Sequence, residues 1–467
     1  MIKAVVGSGG KTTLIHQLAK QYRKAGKKVF VTTTTKMLIE EDTLLSTDAN
    51  EIIMKLNHEG YVMAGTPVGK KIIPLSSETY EAVCQHADVV LIEADGSRCL
   101  PLKYPNEKEP VIPHNVDEII VVCGLNALGQ KANKVCHRLE LVKACLKIED
   151  ETVIQPQHIQ NLVYEAYLKP LRQKYPHKQI TLSPRDDGSL YQRCISALLK
   201  AEKDVSLVQK GWFTPQPHML ICGGGHVARE VARLATHLDF QVKVLDSRQE
   251  LVSKERFPHV QQVICDSYQN LESYMEPNAY YVVVTPNHAA DYLCVEKIIQ
   301  TQYAYLGMIG SKRKVATTFE KLRQNGISED KIATIFSPIG LAIGAITPAE
   351  IAISIMAQII QEKNRSHAAS ADRDLLAVQE KGVLCIVIDK HGSAPRGIGS
   401  MMFVGSQILG SIGGGESEYL AICDARKVQT IQTKTYVLNT NTRKGLDMVC
   451  GGTIKVLFIP IDERSKD

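Results

Sequence analysis

The sequence predicts an α/β protein built from a P-loop-like parallel-sheet domain, a Rossmann domain and a small α/β domain, in that order. Three observations predict it. Short apolar runs meet glycine-rich turns at GSGGKTT (7–13), GGGHVA (223–228) and GSIGGGE (410–416). The first two turns open stretches of helical periodicity, the strand–turn–helix pattern of parallel sheets. The chain, at 467 residues, is long enough for about two to four domains.

Composition narrows the function classes. Hydrophobic residues at 44% and charged residues at 22% exclude wholesale disorder. The net charge of +5 comes without a dense basic stripe, so no nucleic-acid partner is expected. The twelve cysteines contain no CxxC pair, which excludes a zinc ribbon and argues against a compact disulfide framework. A glycine loop arrives before any signal-peptide core could form, and no apolar run reaches the roughly 18–20 residues of a membrane span. The expectation is a cytoplasmic, reduced protein with no membrane partner.

A polar stretch at 201–218 and the small, polar KNRSHAASADRD (363–374) mark boundaries. The expected units are 1–205, 216–363 and 379–463, with 364–378 as a linker.

In the first unit, Ile2–Val6 reads as a strand, Gly7, Gly9 and Gly10 as a tight loop, and Leu14–Tyr22 as a helix. The pattern GxxxxGK[ST] is met only at its end, by Gly10-Lys11-Thr12, because position 5 is Val. A glycine turn opening a helix still makes an anion site, since unpaired amides and the helix dipole face it. Lys11 would neutralise the phosphates of a nucleoside triphosphate, with Thr12 and Thr13 beside it. Asp95, after the apolar run VVLIEADG, is placed to hold Mg²⁺ together with Thr12, and Glu93 is the alternative acid. Thr32–Thr35 at the next strand end could add hydroxyls or could simply be good strand formers. Near residue 185 the chain offers ITLSPRDDGS, no base-selecting segment, so ATP and GTP both stay open.

MIKAVVGSGGKTT, VTTTTKM (31–37), EADGSRCLPLKYPNEKEPVIP (93–113) and VVCGLNALGQ (121–130) resemble the YqeC family, associated with selenium-dependent molybdenum hydroxylases. The resemblance covers roughly residues 1–200 and implies nucleotide binding by the loop.

In the second unit, Gly223 and Gly225 fill the first two positions of the dinucleotide fingerprint, and Ala228 stands in for the third. His226 opens the helix. Asp246 ends the following strand, where a carboxylate would reach a ribose hydroxyl, and Arg248 offers a phosphate partner instead. NAD(P), a pterin and a nucleotide phosphate therefore remain alternatives. YYVVV (280–284) runs into TPNHAAD, setting His288 and Asp291 at a strand's carboxyl end. In YLGMIGSKRK (305–314), Ser311 opens a helix with three basic residues, a second anion site.

GGGHVAREVARL, LDSR, VVVTPNHAAD, YLGMIGSKRK and PIGLAIGAITPAEIAISI resemble the Rossmann domain of the XdhC family, accessory factors of xanthine dehydrogenase. GVLCIVIDKHGSAPRGIGSMMF (382–403), GSIGGGESEYL (410–420) and DMVCGGTIKVLF (447–458) resemble that family's XdhC/CoxI half. The halves stand in reversed order relative to the usual family arrangement, which suggests a domain-swapped homodimer or a rearranged interface. Glu416 occupies a position often held by Cys in that family.

Together the resemblances imply an accessory factor that binds molybdenum cofactor (molybdopterin). It would assist the cofactor's sulfuration or selenation and deliver it to an apo molybdenum hydroxylase, with a sulfur or selenium donor protein as second partner. Cys450, between a polar loop and Gly451-Gly452, would carry the chalcogen or ligate molybdenum, a soft thiolate suiting either. Arg396 could bind a pterin phosphate, and Ser393 and Glu416 are lesser candidates. The rival readings are an NAD(P)-dependent oxidoreductase using His288 as acid/base, and a nonenzymatic cofactor chaperone. Nucleotide hydrolysis by the first unit separates the latter from the main reading.

Overall fold

The computed structural model describes residues 1–96, 98–213, 217–365, 373–393, 396–438 and 452–463. Among these, no helix is long and apolar enough to cross a membrane.

The first unit carries a seven-stranded sheet. Its order is Gln179–Arg185, Glu118–Gly124, Ile2–Gly7, Val89–Glu93, Val29–Thr33, Tyr61–Ala64 and Thr43–Leu44, with parallel neighbours throughout. Val29–Thr33 and Val89–Glu93 are buried at every position, which is why their sequences read as unbroken apolar runs rather than alternating ones. The loop strand Ile2–Gly7 lies between Val89–Glu93 and Glu118–Gly124, so the glycine loop opens at the carboxyl ends of the strands.

The second unit is doubly wound. Six parallel strands run in the order Gln262–Cys265, Gln241–Asp246, His218–Cys222, Ala279–Val283, Tyr303–Met308 and Ile335–Phe336. The order reverses between His218–Cys222 and Ala279–Val283, the crevice where such sheets receive ligands. Helices His226–His237 and Pro348–Arg365 pack together on one face, where Val231, Ala232 and Ile355 share a core with Val244 and Val282.

The third unit keeps the α/β class with an antiparallel sheet, ordered Ile408–Gly410, Met401–Val404, Gly382–His391, Gly452–Ile461 and Gln432–Leu438. Side chains alternate across a strand, and both faces here are covered. Val383, Cys385 and Val387 meet Ala421 and Ala425 of helix Gly415–Ala425. Leu384 and Ile386 join the core of the first unit.

That shared core revises the expected boundaries. Val205, Val208, Trp212 and Phe213, in the polar stretch expected as a boundary, are buried in it, as are Leu375 and Val378 from the expected linker. Helix Leu190–Lys200 packs on strand Gly452–Ile461. Arg193, 6% exposed, donates to the carbonyls of Val378 (2.6 Å), Glu380 (3.0 Å) and Asp462 (2.6 Å). The first and third units are thus fastened together, while the Rossmann unit between them in sequence keeps its own cores.

Candidate functional site

The loop Ser8–Gly10 joins strand Ile2–Gly7 to helix Lys11–Lys24. Gly7 has φ +90°, and a Cβ there would stand 2.1 Å from the Val122 carbonyl oxygen, so glycine alone fits. The helix begins without a side-chain cap and without an acid in its first turn. Its first amides and positive dipole end are left for an anion.

The loop borders a cleft of about 960 Å³, whose lining includes Gly9, Gly10, Lys11, Thr12, Thr13 and Glu93. Lys11 Nζ donates to the Gly7 carbonyl at 3.0 Å and lies 3.8 Å from Glu93 Oε1, while Thr12 Oγ1 donates to Glu93 Oε2 at 3.3 Å. Burial lowers the Lys11 ammonium below its ordinary range, against the attraction of Glu93 and Asp95. Burial likewise pushes the Glu93 carboxyl up, against the pull of Lys11 and Thr12. Of the threonines, Thr33 donates to the Glu93 carbonyl (2.9 Å) and Thr34 to the Val111 carbonyl (2.6 Å), lacing neighbouring segments together.

Asp95 does not reach the cleft as its sequence position suggests. The strand ends at Glu93, the chain turns, and Asp95 is wholly buried. Its carboxylate accepts from the Gly7 amide (3.1 Å), from Tyr167 Oη (2.8 Å) and from Lys103 Nζ. Lys103 also binds Glu109 at 2.6 Å, and Glu109 accepts from Arg138 Nη1 at 2.6 Å. A continuous chain of bonds therefore runs from the glycine loop through Asp95, Lys103 and Glu109 to Arg138. Burial raises Asp95 despite Lys103. Glu109, although burial opposes it, is held at about 2 by Arg138 and Lys103. Of the two acids, Glu93 lines the cleft, while Asp95 braces the loop through the Gly7 amide.

At the second corner an acid braces the loop, and helix His226–His237 begins without a side-chain cap. Gly223 has φ +120°, with room for no Cβ beside the Val284 carbonyl. The buried Asp246 accepts from the Gly224 amide at 2.7 Å and from Arg248 Nε and Nη2 at 2.9 and 2.8 Å. Although burial opposes it, these donors hold its carboxyl below the usual range. Asp246 thus has both carboxylate oxygens engaged by the chain, and the partly exposed Arg248 guanidinium is paired to it. Gly225 has open space around it and His226 is exposed at the helix start. Asp291, expected on the ligand side, is buried and engaged by Thr285 Oγ1 (2.6 Å), the Thr285 amide (3.2 Å) and Lys314. His288 starts the helix His288–Ile298; its Nδ1 lies 3.5 Å from Thr318 Oγ1 and its Nε2 is buried without a partner. Ser311 is the N-cap of Lys312–Gln324, accepting from the Lys314 amide at 3.4 Å.

The third corner, by contrast, is filled by the chain itself. Glu418 Oε2 accepts from the amides of Ile412 (2.9 Å), Gly413 (3.2 Å) and Gly414 (2.9 Å) and from Ser411 Oγ (2.6 Å). The sequence pattern points to Glu416, which is exposed, and gives no prominence to Glu418. An acid in the first turn after three glycines was the available signal. Arg396 and Ser393 are exposed, and Cys450 lies outside the described residues.

What these features define is a fused α/β protein with a glycine-loop cleft in the first unit and two further glycine corners, of which the one at Ile412–Gly414 is closed by Glu418. Comparison with known proteins gives the segments their families. Residues 3–140 match the YqeC protein family, 219–359 the XdhC Rossmann domain, and 375–438 the XdhC and CoxI family, so the chain is a YqeC–XdhC fusion. It is 34% identical over 154 residues to YqeB of Escherichia coli strain K12, spanning 32% of this chain and 28% of that protein. It is 35% identical over 143 residues to YqeC of the same organism, 28% of this chain and 54% of that one. It is 28% identical over 153 residues to a probable xanthine dehydrogenase subunit of Bacillus subtilis strain 168, 32% of this chain and 44% of that one. The chain spans about a quarter to a half of the length of these relatives.

Proposed function

We propose that this protein is an accessory factor for maturation of a molybdenum hydroxylase of the xanthine dehydrogenase type, and that its first unit binds a nucleoside triphosphate with Mg²⁺. The XdhC segments and the likeness to a probable xanthine dehydrogenase subunit support the first part. Molybdenum cofactor is then cargo, an apo-hydroxylase the recipient, and a sulfur or selenium donor the further partner; the YqeC segment favours selenium.

One observation carries the nucleotide part: Lys11, Thr12 and Glu93 converge beside an uncapped helix start in an open cleft. The loop amides and helix dipole would take up phosphate oxygens, and Lys11 would exchange the Gly7 carbonyl for one of them. Thr12 and Glu93 are hard oxygen donors that fit Mg²⁺, which binds through one or two such groups plus phosphate and water. Mg²⁺ would neutralise phosphate charge there. Asp95 fixes the loop through the Gly7 amide and does not line the cleft.

Titration of Mg·ATP and Mg·GTP into the full chain by calorimetry tests the nucleotide part. Binding of either, weakened at least about tenfold in Lys11→Ala, is expected. No binding of either nucleotide, or affinity untouched by Lys11→Ala, would remove it. Activation of an apo-hydroxylase by the added protein tests the accessory role.

A further inference from the structure

We propose that the same cleft holds a second phosphate-bearing small molecule, on a wall built from Arg98, His137 and Arg138, beside the nucleotide on the glycine loop. The inference rests on that reading of the loop and goes beyond it, from one ligand to two. Four observations support it.

The cleft, at about 960 Å³, is at the upper end of small-molecule sites. Its basic residues exceed what one triphosphate on the loop would use, since Lys36, Lys71, Arg98 and Arg138 line it in addition to Lys11. The acids among them are already engaged: Glu93 by Lys11 and Thr12, Glu40 by His16 at 3.0 Å, and Glu109 by Lys103 and Arg138.

Arg138 is held in place, with Nη1 donating both to Glu109 and to the Tyr104 carbonyl at 3.2 Å. The other N–H groups of its five-donor guanidinium remain for a ligand. His137 lines the cleft and pairs in register with Lys103 in the short parallel ladder Leu102–Lys103 and Cys136–His137. Its Nδ1 is buried without a hydrogen-bond partner. Burial and the neighbouring Arg138, Lys103 and Arg98 lower the His137 imidazole below its ordinary range, against the pull of Glu109. The wall thus sets a polar ring beside two guanidinium groups that line the same cleft and supply charged donors. That combination suits a phosphate monoester.

The test titrates inorganic phosphate into the full chain already saturated with Mg²⁺ and a non-hydrolysable ATP analogue. One phosphate per chain is expected to bind without displacing the analogue. Arg98→Ala should weaken that phosphate at least about tenfold and leave analogue affinity within about twofold. No phosphate uptake by the saturated chain, displacement of the analogue, or phosphate affinity unchanged in Arg98→Ala would overturn the proposal. If the chain takes no nucleotide, phosphate alone is titrated into wild type, Lys11→Ala and Arg98→Ala. Two sites, each lost in a different variant, keep the second site while the nucleotide reading falls. A single site indifferent to Arg98→Ala ends both.

Discussion

Lys103 and Asp95 form an ion pair in which both side chains are 0% exposed. Taking two charges out of water is costly, and the cost is offset only when the remaining bonds are satisfied. Here they are: Asp95 also accepts from Gly7 and Tyr167, and Lys103 also meets Glu109. Lys103→Met would strand a buried carboxylate and cost about 3–5 kcal/mol. Asp95→Asn should cost less, because Lys103 keeps Glu109, and the double variant should recover part of the loss. Urea denaturation of the three variants decides; a neutral Lys103→Met would contradict the account.

The acid limb of the stability profile should report Glu109. Its folded-state carboxyl sits at about 2, below an unfolded value near 4.5. A depressed acid contributes stability that is complete above the unfolded value and is lost as pH falls toward the folded one. Stability is therefore expected to decline between about pH 4.5 and 2. Glu109→Gln should be less stable at neutral pH and flatter across that window. Equal slopes in the two proteins would assign the acid transition elsewhere.

Glu418 and Glu416 make a matched pair on one helix. Removing Glu418 orphans the Ile412 and Gly414 amides and leaves Gly413 only Ser411 Oγ, so Glu418→Ala should cost about 2 kcal/mol. The exposed Glu416→Ala should stay within about 0.5 kcal/mol. Thermal denaturation of both variants is the measurement, and reversal of the order would refute the assignment of the cap.

Arg193→Ala should loosen the third unit selectively. Three carbonyls lose a charged donor, at a cost of at least about 2 kcal/mol. Hydrogen exchange should accelerate in Gly382–His391 and Gly452–Ile461, while His218–Cys222 and Ala279–Val283 keep their protection. Uniform acceleration in all four strands would mean that the Rossmann unit is not energetically separate.

Much of this was legible in the sequence because it is local. Strand, glycine turn and helix follow one another in unbroken succession at 2–24 and at 218–237, and periodicity marks them. Which acid lines the cleft was not legible. Glu93 and Asp95 are two residues apart, and only the end of the strand between them decides their directions. Lys103 and Glu109 share the 93–113 stretch, but Arg138 and Tyr167 come from elsewhere in the chain, and no spacing rule joins them. Leu375 and Val378 were hidden by polar neighbours, since a short apolar stretch beside a linker looks like part of it.

The fastening by Arg193 bears on how the protein is made. Its acceptors at Val378, Glu380 and Asp462 are synthesised about 185 to 269 residues after it. At roughly 5–20 residues per second, helix Leu190–Lys200 waits on the order of ten seconds or more for the strand Gly452–Ile461 that covers it. Meanwhile the Rossmann unit can complete its own cores. A ribosome that stops before residue 452 therefore releases a chain with a sticky flank, a natural substrate for chaperones and proteases.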